Sequence, residues 1–252
     1  MPKLSVIVIT KNEEFNIGEC LQSVRWADEC IVIDSESTDR TVEIARTFGA
    51  TVHVHPWEGF GKARNIALRY ATGEWTFWLD ADERSSEQLS HEILDTIAHE
   101  TPEIDGYTMP RKAQFLGRWI LHSGWYPGRV LRLFRTLKAT YTDENVHEGV
   151  TINGRVGKLT NDILHYTDPN LFHYFEKFNR YTSLAAEDLQ LKGKQFRPSQ
   201  LIVHPIWLFI KMYILKRGFS DGLQGFILAV VSSCYVFTKY AKFWERVQHE
   251  KI

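Results

Sequence analysis

The stretch Trp75-Thr-Phe-Trp-Leu-Asp-Ala-Asp-Glu83 decides the fold of this chain. Its mainly apolar start is long enough for one buried strand, and it ends abruptly at Asp80 and Asp82. Because side chains alternate across a strand, residues i and i+2 share one face, so both carboxylates can point to one place. A divalent cation with phosphate oxygens as its other ligands is a natural occupant. The pair alone is a weak signal, so the argument depends on the surrounding strands.

Strand and helix patterns alternate through the first part of the chain. The predicted strands are Leu4–Ile9, Glu29–Ile33, Thr51–His55 and Trp75–Leu79. The predicted helices are Asn16–Val24, Asp39–Phe48, Gly61–Ala71 and Ser86–Glu100. This alternation predicts an α/β fold with a Rossmann-like, mostly parallel sheet and helices on both faces.

Polar residues follow three of these strands. They are Thr10-Lys11-Asn12-Glu13, Asp34-Ser35-Glu36-Ser37 and Asp80-Ala81-Asp82. Ligands of parallel sheets bind at the carboxyl ends of the strands, where these clusters meet. The sequence therefore predicts a ligand site at this edge.

The rest of the chain has two other patterns. Short strands are predicted at Tyr107–Arg111, Arg129–Phe134, Val146–Ile152 and Leu159–His165, as a mixed or antiparallel extension of the sheet. The predicted helices are Leu171–Leu191 and, after a polar linker, the apolar segments Leu201–Lys216 and Leu223–Trp244.

Composition argues against nucleic acid as a partner. The formal net charge of the 252 residues is −1, and no basic-aromatic repeat occurs. Residues 201–252 hold seven Lys or Arg against three Asp or Glu. The cysteines, Cys20, Cys30 and Cys234, lack metal-ligand spacing, and no signal peptide is apparent, so we expect reduced, mostly buried thiols in the cytoplasm.

Four motifs in order resemble the family 2 glycosyltransferases of the GT-A fold over roughly residues 1–190. They are Leu4-Ser-Val-Ile-Val-Ile-Thr-Lys-Asn-Glu13, Val32-Ile-Asp-Ser-Glu-Ser-Thr-Asp39, Gly61-Lys-Ala-Arg-Asn65 and Leu79-Asp-Ala-Asp82. The resemblance implies a catalytic domain at 1–192, with a nucleotide-sugar-binding half at 1–100 and an acceptor half at 101–192. Residues 201–252 would then be membrane-associating or lid helices.

Further motifs resemble a narrower group, the bacterial lipopolysaccharide-core β-1,4-glucosyltransferases. They are Trp125-Tyr-Pro-Gly-Arg-Val-Leu-Arg-Leu-Phe-Arg135, Val146-His-Glu148 and Gly218-Phe-Ser-Asp-Gly222. The resemblance implies a UDP-hexose donor, UDP-glucose first, and inversion of the anomeric centre. It implies a lipid-linked saccharide acceptor, the inner-core heptose of lipopolysaccharide, and a divalent metal, Mg²⁺ or Mn²⁺.

The family also implies which residues bind the nucleotide sugar. They are Thr10, Lys11, Glu13, Asp34, Ser35, Asp39, Lys62, Arg64, Asp80, Ala81 and Asp82. Asp34 and Ser35 would hold uracil and ribose, although many relatives have a second acid in place of Ser35. Arg64 would face the diphosphate, since a helix start already favours phosphate.

Several of these residues have purely structural alternatives. Asp34 can be a turn former and Asp39 a helix cap. Thr10 and Glu13 can be solvated loop residues, and Lys62 and Arg64 ordinary helix-surface cations. Asp80 and Asp82 can form a turn with a helix cap.

Metal and base candidates follow from the chemistry of transfer. Asp82 is the expected direct metal ligand, Asp80 lies nearer the ribose or acts through water, and His165 is a further candidate ligand. The acceptor hydroxyl needs a general base. Glu148 is ranked first because it matches the family's Val-His-Glu motif, Glu144 second, and Asp143 is also possible; the alternative is a charged loop.

Two other functions remain open. A transferase acting on a polyprenyl phosphate would need no base, because a phosphate acceptor is already ionised. A non-catalytic nucleotide-sugar-binding subunit would not need the carboxylate pair. Nucleotidyl transfer is disfavoured because no Gly-rich, Arg-containing loop follows the first strand.

The C-terminal segment predicts a membrane surface as a partner. Its apolar core, Phe226–Phe237, is shorter than the roughly 20 residues of a membrane span. Flanking cations and aromatics suit a helix pair lying on anionic lipid; they are Lys211, Lys216, Arg217, Lys239, Lys242, Arg246, Trp207, Tyr213, Tyr240 and Trp244. We expect peripheral attachment to the cytoplasmic face of the bacterial inner membrane through residues 201–246. A lid or a dimer interface is the alternative.

Overall fold

The computed structural model describes residues 3–99, 101, 103–141 and 150–249. The chain forms two compact units. Unit 1 contains the described residues up to Arg111 together with Arg129–His165, and unit 2 contains Lys112–Gly128 and the chain from Tyr166 onward. The domain boundaries expected from the sequence concern donor, acceptor and membrane roles, and they stay a prediction.

The elements run in the following order. The strands are β1 (Leu4–Thr10), β2 (Glu29–Asp34), β3 (Thr51–Val54), β4 (Trp75–Asp80), β5 (Glu83–Ser85), β6 (Ile104–Met109), β7 (Arg111–Phe115), β8 (Arg118–Trp119), β9 (Val130–Arg135), β10 (Ala139–Tyr141), β11 (Val150–Ile152), β12 (Arg155–Lys158) and β13 (Ile163–Asp168). The helices are α1 (Ile17–Gln22), α2 (Thr41–Thr47), α3 (Phe60–Tyr70), α4 (Glu87–Ala98), α5 (Leu171–Leu191), α6 (Val203–Phe209) and α7 (Gly222–His249). A π-helical segment, Ile210–Leu215, continues α6.

Unit 1 is built on a seven-stranded sheet with the order β12-β6-β9-β4-β1-β2-β3. Strand β1 pairs parallel with β2 and β4, and β2 pairs parallel with β3. Strand β9 runs antiparallel between β4 and β6. The predicted fold class, an α/β fold with a mostly parallel Rossmann-like sheet, is confirmed.

Alternation along β1 separates two apolar cores. Leu4, Val6 and Val8 belong to the core that contains buried residues of α1, α2 and α4. Ile7 and Ile9 belong to the second core, to which α3 contributes Ala63 and Ala67; the two cores thus place helices on opposite faces of the sheet. Strands buried on both faces read as continuous apolar runs, which explains the composition of β1.

The later strands differ in detail from the prediction. The expected strand Tyr107–Arg111 is divided, since β6 ends at Met109 and β7 begins at Arg111. Pro110 lies between them and has no N–H to donate to a ladder. Strand β12 was missed, and it pairs parallel with β6. Of the expected strand Val146–Ile152, only the part from Val150 lies within the described residues.

Unit 2 is mainly helical. Helix α5 has the predicted bounds, and its residues Thr182 and Ala186 are buried. Met212, Leu228 and Val231 pack with Phe115 and Ile120 in one core, and Tyr240 and Phe243 pack with Ala186 in another. Long apolar side chains remain exposed on α6, the π segment and α7, among them Trp207, Leu215, Leu223 and Trp244.

One helix in the described part of the chain is long and apolar enough to cross a membrane. It covers Gly218–Gln248, that is α7 up to Gln248 together with the 3₁₀ turn Gly218–Asp221 before it, and 28% of its most apolar stretch is buried inside the protein. The helix is therefore longer than the apolar core expected from the sequence.

Candidate active site

The candidate site lies where the strand order of unit 1 reverses. Strand β1 is central, with β2 and β3 on one side and β4 on the other. Thr10 is level with Asp34 on β2, and Ile9 is level with Asp80 on β4. In an open α/β sheet, the crevice at the carboxyl ends of such strands is the usual ligand site. The polar clusters predicted to converge do so.

The ends of β1 and β2 form a buried polar floor. The Asp34 side chain is fully buried and accepts hydrogen bonds from Ser37 N at 2.8 Å and Ser37 Oγ at 2.5 Å. Ser35 is also buried and donates its N–H to Thr10 O at 2.9 Å. Thr10 Oγ1 is buried and has no hydrogen-bond partner in the described part of the protein. A buried hydroxyl without a partner is rare and is consistent with a place for a ligand.

The two loops after these strands are linked to each other. Asn12 N donates to Ser37 Oγ at 2.8 Å, and Thr38 N donates to Asn12 Oδ1 at 2.8 Å. Glu13 N donates to Thr41 Oγ1 at 2.8 Å, whereas Lys11 is exposed. These bonds hold the loop after β1 against the loop after β2.

Asp39 has a local structural role in this geometry. Its carboxylate accepts bonds from Thr41 N at 3.0 Å, Thr41 Oγ1 at 2.5 Å and Glu14 N at 3.1 Å. Burial raises its pKa, but the bonds from Thr41 and the backbone outweigh burial, so the pKa is lowered. Asp39 therefore accepts the first N–H of α2, although the residue directly before that helix is Arg40, and ligand contact by Asp39 stays a prediction.

The two cations predicted on α3 have different surroundings. Lys62 is exposed and pairs with Glu58 at 3.0 Å. The Arg64 guanidinium lies over the Trp78 ring, 5.3 Å from its centroid, and its charge lowers the pKa of Asp80. Arg64 is therefore in the electrostatic neighbourhood of the strand-end carboxylates, as a phosphate-facing residue would be.

Asp80 belongs to a triad that the sequence did not predict. Arg132 Nη2 lies 2.6 Å from Asp80 Oδ2 and 2.8 Å from Glu83 Oε1. Glu83 is fully buried, accepts the Asp80 N–H at 3.0 Å, and lies 3.3 Å from Arg111 Nη1. The Asp80 side chain keeps 32% of its surface exposed, so a ligand can still reach it.

The pKa values of the two carboxyl groups in this triad are shifted in opposite directions. Burial raises the pKa of Asp80, but the Arg132 guanidinium more than offsets this, so the pKa lies well below the usual range. Burial raises the pKa of Glu83 above its usual value; Arg132 opposes that rise and Asp80 adds to it. Arg132 thus keeps Asp80 ionised at the edge of the site.

Asp82 and His165 form the second pair at this edge. Asp82 Oδ2 lies 3.2 Å from His165 Nε2, and both side chains are mostly buried. The contact arises because β5 pairs antiparallel with β13, which places His165 opposite Glu83. Sequence reasoning proposed these two residues as metal ligands from positions far apart in the chain, and the fold brings them together.

The donor set fits a divalent metal only in part. Within residues 3–99, 101, 103–141 and 150–249, no group of three or more His, Cys, Asp or Glu side chains could hold a metal ion by itself. Asp82 and His165 supply two suitable ligand atoms, while Asp80 is held by Arg132. Such a site would depend on ligand oxygens for the rest of its coordination, as phosphate-bound cations often do.

The positions of the remaining predicted residues complete the site. Ala81 is buried between the two acids. Asp143, Glu144 and Glu148, the general-base candidates, lie outside the described residues. Arg132 and Glu83 were missed as site residues. Arg132 lies inside the motif at 125–135, and Glu83 directly follows the motif that ends at Asp82.

Comparisons with solved structures identify the fold. A mannosyltransferase, PcManGT from Pyrobaculum calidifontis in complex with GDP-Man and Mn²⁺, aligns with a TM-score of 0.57 at 16% identity, covering 96% of this chain and 87% of that one. Glucosyl-3-phosphoglycerate synthase from Mycobacterium tuberculosis, in complex with Mn²⁺, UDP and glucosyl-3-phosphoglycerate, aligns with a TM-score of 0.51 at 17% identity, covering 77% and 81%. These likenesses identify the fold of the chain as the GT-A fold.

Sequence comparison identifies the family to which the chain belongs. The model of the family "Glycosyl transferase family 2" matches residues 5–154. The lipopolysaccharide core biosynthesis glycosyltransferase LpsC of Rhizobium meliloti is 31% identical over 255 residues, which cover 98% of this chain and 94% of LpsC. The uncharacterized glycosyltransferase RT0209 of Rickettsia typhi is 32% identical, with 97% and 88% covered. The chain belongs to glycosyl transferase family 2, as its motifs predicted.

Proposed function

We propose that this glycosyltransferase moves a hexose from a UDP-sugar to the inner-core heptose of a lipid-linked lipopolysaccharide precursor, with inversion at the anomeric carbon. Glucose is the first candidate for this hexose. The observation that carries the proposal is the meeting of Thr10, Asp34, Asp80 and Asp82 with His165 at the β1/β4 edge. The likeness to LpsC over nearly the whole chain supports the acceptor class.

In this proposal, the ends of β1 and β2 bind the nucleoside. The Thr10 hydroxyl, which is buried without a partner among the described residues, donates to or accepts from the base or ribose. Asp34 already accepts from Ser37, and its rigid position suits recognition of a planar base at the floor of the pocket. Arg64 faces the diphosphate from α3 and stabilises its negative charge.

Asp82 and His165 would hold Mg²⁺ or Mn²⁺ together with donor phosphate oxygens. A divalent ion supplies charge neutralisation for the leaving UDP without a proton transfer. To serve as a ligand, His165 Nε2 would give up its hydrogen bond with Asp82 Oδ2, so that both atoms would face the cation. Arg132 holds Asp80 as an anion near the ribose.

Inversion requires a base on the face opposite the departing UDP. A carboxylate that accepts the acceptor hydroxyl proton as the bond to the anomeric carbon forms would complete the reaction in one displacement. Glu148 is proposed for this role, with Glu144 as the second choice. A lipid-linked acceptor implies that the enzyme acts at the cytoplasmic face of the membrane.

The experiment is a donor and acceptor panel. Purified enzyme with Mn²⁺ or Mg²⁺ is assayed for UDP release from UDP-glucose, UDP-galactose and UDP-N-acetylglucosamine, and the product is analysed by mass spectrometry and by the anomeric coupling constant. We expect transfer of one hexose to heptose-terminated lipid-linked core, with a β product from the α donor. Transfer to a polyprenyl phosphate instead would replace this acceptor, and binding of UDP-sugars without any turnover would leave a nucleotide-sugar-binding subunit.

A further inference from the structure

Unit 2 contains a cavity of about 820 Å³ that belongs to neither of the strand-end pairs described above. It is lined by the loop Leu121–Gly128 and by residues of α5, the α6–π segment and α7. This volume is in the range of small-molecule sites, which are mainly apolar with a few polar groups. Trp125, Met212 and Val236 supply the apolar wall.

Two lysines give the cavity its charge. Lys211 and Lys216 both line it, and none of the described residues around it is acidic. Neither lysine forms an ion pair within the described chain. Lys62 and Lys192, by contrast, are paired with acids. A lining with two lysines and no acidic side chain favours an anionic ligand.

The backbone places these lysines together. Lys216 N donates to Lys211 O at 2.8 Å, an i to i+5 bond that closes a π-helical turn. Residues joined in this way lie on the same side of the helix, one turn apart, and π turns recur at functional sites. The arrangement is therefore specified by the helix type.

The loop on the other side of the cavity is fixed to this turn. Ser123 N donates to Lys216 O at 3.0 Å, while the buried Asp221 carboxylate accepts the N–H groups of Leu121 and His122 and lies 2.9 Å from His122 Nδ1. Gly218 allows this approach, since a Cβ there would lie 2.6 Å from Ser123 Oγ. Two of the three motifs quoted for the narrower family resemblance contribute here: Trp125–Gly128 of the first lines the cavity, and Gly218 and Asp221 of the last hold its loop in place.

A polar group at the lining has no partner. Ser123 is buried and lines the cavity, and its Oγ has no hydrogen-bond partner among the described residues. Ser123 also has a left-handed φ of 59°, which a residue with a side chain rarely adopts without cause. A buried hydroxyl without a partner is rare and is consistent with a place for a polar ligand atom.

We infer that this cavity binds a phosphorylated lipid, with the phosphate between Lys211 and Lys216 and the apolar part against Trp125, Met212 and Val236. The lipid chemistry is favoured over a soluble phosphate because the same helices expose large apolar side chains, including Trp207, Leu215 and Leu223. The identity of the natural ligand as the phosphorylated lipid of the acceptor rests on the proposed function. The binding itself does not.

The test is calorimetric titration of the full chain with monomeric dihexanoyl phosphatidic acid. We expect saturable binding at one site, weakened about tenfold or more by the double change Lys211→Gln and Lys216→Gln. The matched control, Lys138→Gln with Lys158→Gln, removes the same charge from exposed positions of unit 1 and should leave binding unchanged. The variant with arginine at both cavity positions should retain affinity within about threefold, because it keeps the charges.

Three results would overturn the inference. They are failure of the wild-type chain to bind phosphatidic acid, equal loss in the cavity and control variants, and binding of glycerol phosphate as tight as that of the lipid. Circular dichroism of each variant reports folding. UDP-glucose binding, titrated in the same samples, reports the donor site separately, so a failed donor site and a failed lipid site are distinguishable.

Discussion

The two compact units hold their charged side chains in opposite ways. In unit 1, the strand-end acids contact side chains of the same unit: Asp80 contacts the Arg132 guanidinium, and Asp82 contacts the His165 ring. In unit 2, Lys211 and Lys216 line a cavity without an acidic side chain among its described residues. Under the two proposals, unit 1 holds its acids in place for a donor that brings its own cation, whereas the lysine-lined cavity of unit 2 accepts an anion.

The largest expected effect is on Asp82. Asp82→Ala should reduce hexose transfer by about 10³-fold, because the donor phosphates lose the cation that neutralises them. The melting temperature should hardly change, since a short carboxylate side chain after the end of β4 contributes little packing. Steady-state UDP release and differential scanning fluorimetry measure the two quantities.

EDTA should abolish wild-type activity, and added Mn²⁺ should restore it. The control for Asp82→Ala is Asp95→Ala, which should keep full activity. Asp95 is an exposed acid on α4, and among the ion pairs of the described chain it pairs only with His99. Full activity of the Asp82 variant in metal-free buffer would remove the metal role from this site.

The general base gives an effect of similar size. Glu148→Gln keeps the shape of the side chain but cannot take up the acceptor proton, so transfer should fall by about 10²–10⁴-fold. UDP-hexose binding, followed by calorimetry, should persist. If Glu144→Gln is the inactive variant, the mechanism stands with the other base, and if neither matters, an already ionised phosphate acceptor becomes the better explanation.

Loss of Arg132 should show mainly in stability. Arg132→Met leaves Glu83 fully buried with less compensation, which typically costs about 3–5 kcal/mol in the free energy of unfolding. Urea denaturation measures this cost. Arg155→Met is the matched control, since it breaks an exposed pair with Glu103 and should cost about 1 kcal/mol or less. Equal costs would mean that the triad has no special role in unit 1.

In unit 2, the corresponding test is Asp221. Asp221→Ala removes the acceptor of two backbone N–H groups and should cost about 1–3 kcal/mol, with weaker phosphatidic acid binding and unchanged UDP binding. Glu176→Ala, at an exposed position on α5 of the same unit, should change neither stability nor binding. A selective loss of UDP binding in the Asp221 variant would contradict the separation of the two sites.

The smallest expected effect concerns membrane attachment. The full chain should sediment with anionic vesicles and be released in part by high salt, because screening weakens the contribution of the cations. Alkaline carbonate should extract it; retention would instead mean that the apolar helix Gly218–Gln248 crosses the bilayer. Leu223→Ser should weaken sedimentation, whereas Leu137→Ser, at a 99% exposed position of unit 1, should not.

Much of unit 1 could be predicted because its signals are local. Apolar runs, glycines and strand-end acids gave the first four strands and helices with bounds close to those observed. Asp82 and His165 were proposed together from the chemistry of metal ligands, although they are 83 positions apart. Their contact depends on the antiparallel pairing of β5 with β13, and β5 is too short to leave a periodic signal.

The residues that were missed depend on long-range contacts. Arg132 alternates with apolar neighbours on β9, and only the antiparallel placement of that strand beside β4 brings it to Asp80 and Glu83. The cavity of unit 2 was missed for the same reason, because the loop at 121–128 and the turn at 211–218 are far apart in sequence. A charge pattern along one segment carries no information about which distant carboxylate will face it.

The π turn between Lys211 and Lys216 also constrains how this chain can change in length. Removing one residue there would close an ordinary α-helical turn and rotate everything beyond it by about 100°. The carbonyl of Lys216 would then point away from Ser123, and the cavity would lose one wall. Among homologous chains, a deletion in this turn should therefore occur only together with a different loop at the positions of 121–128.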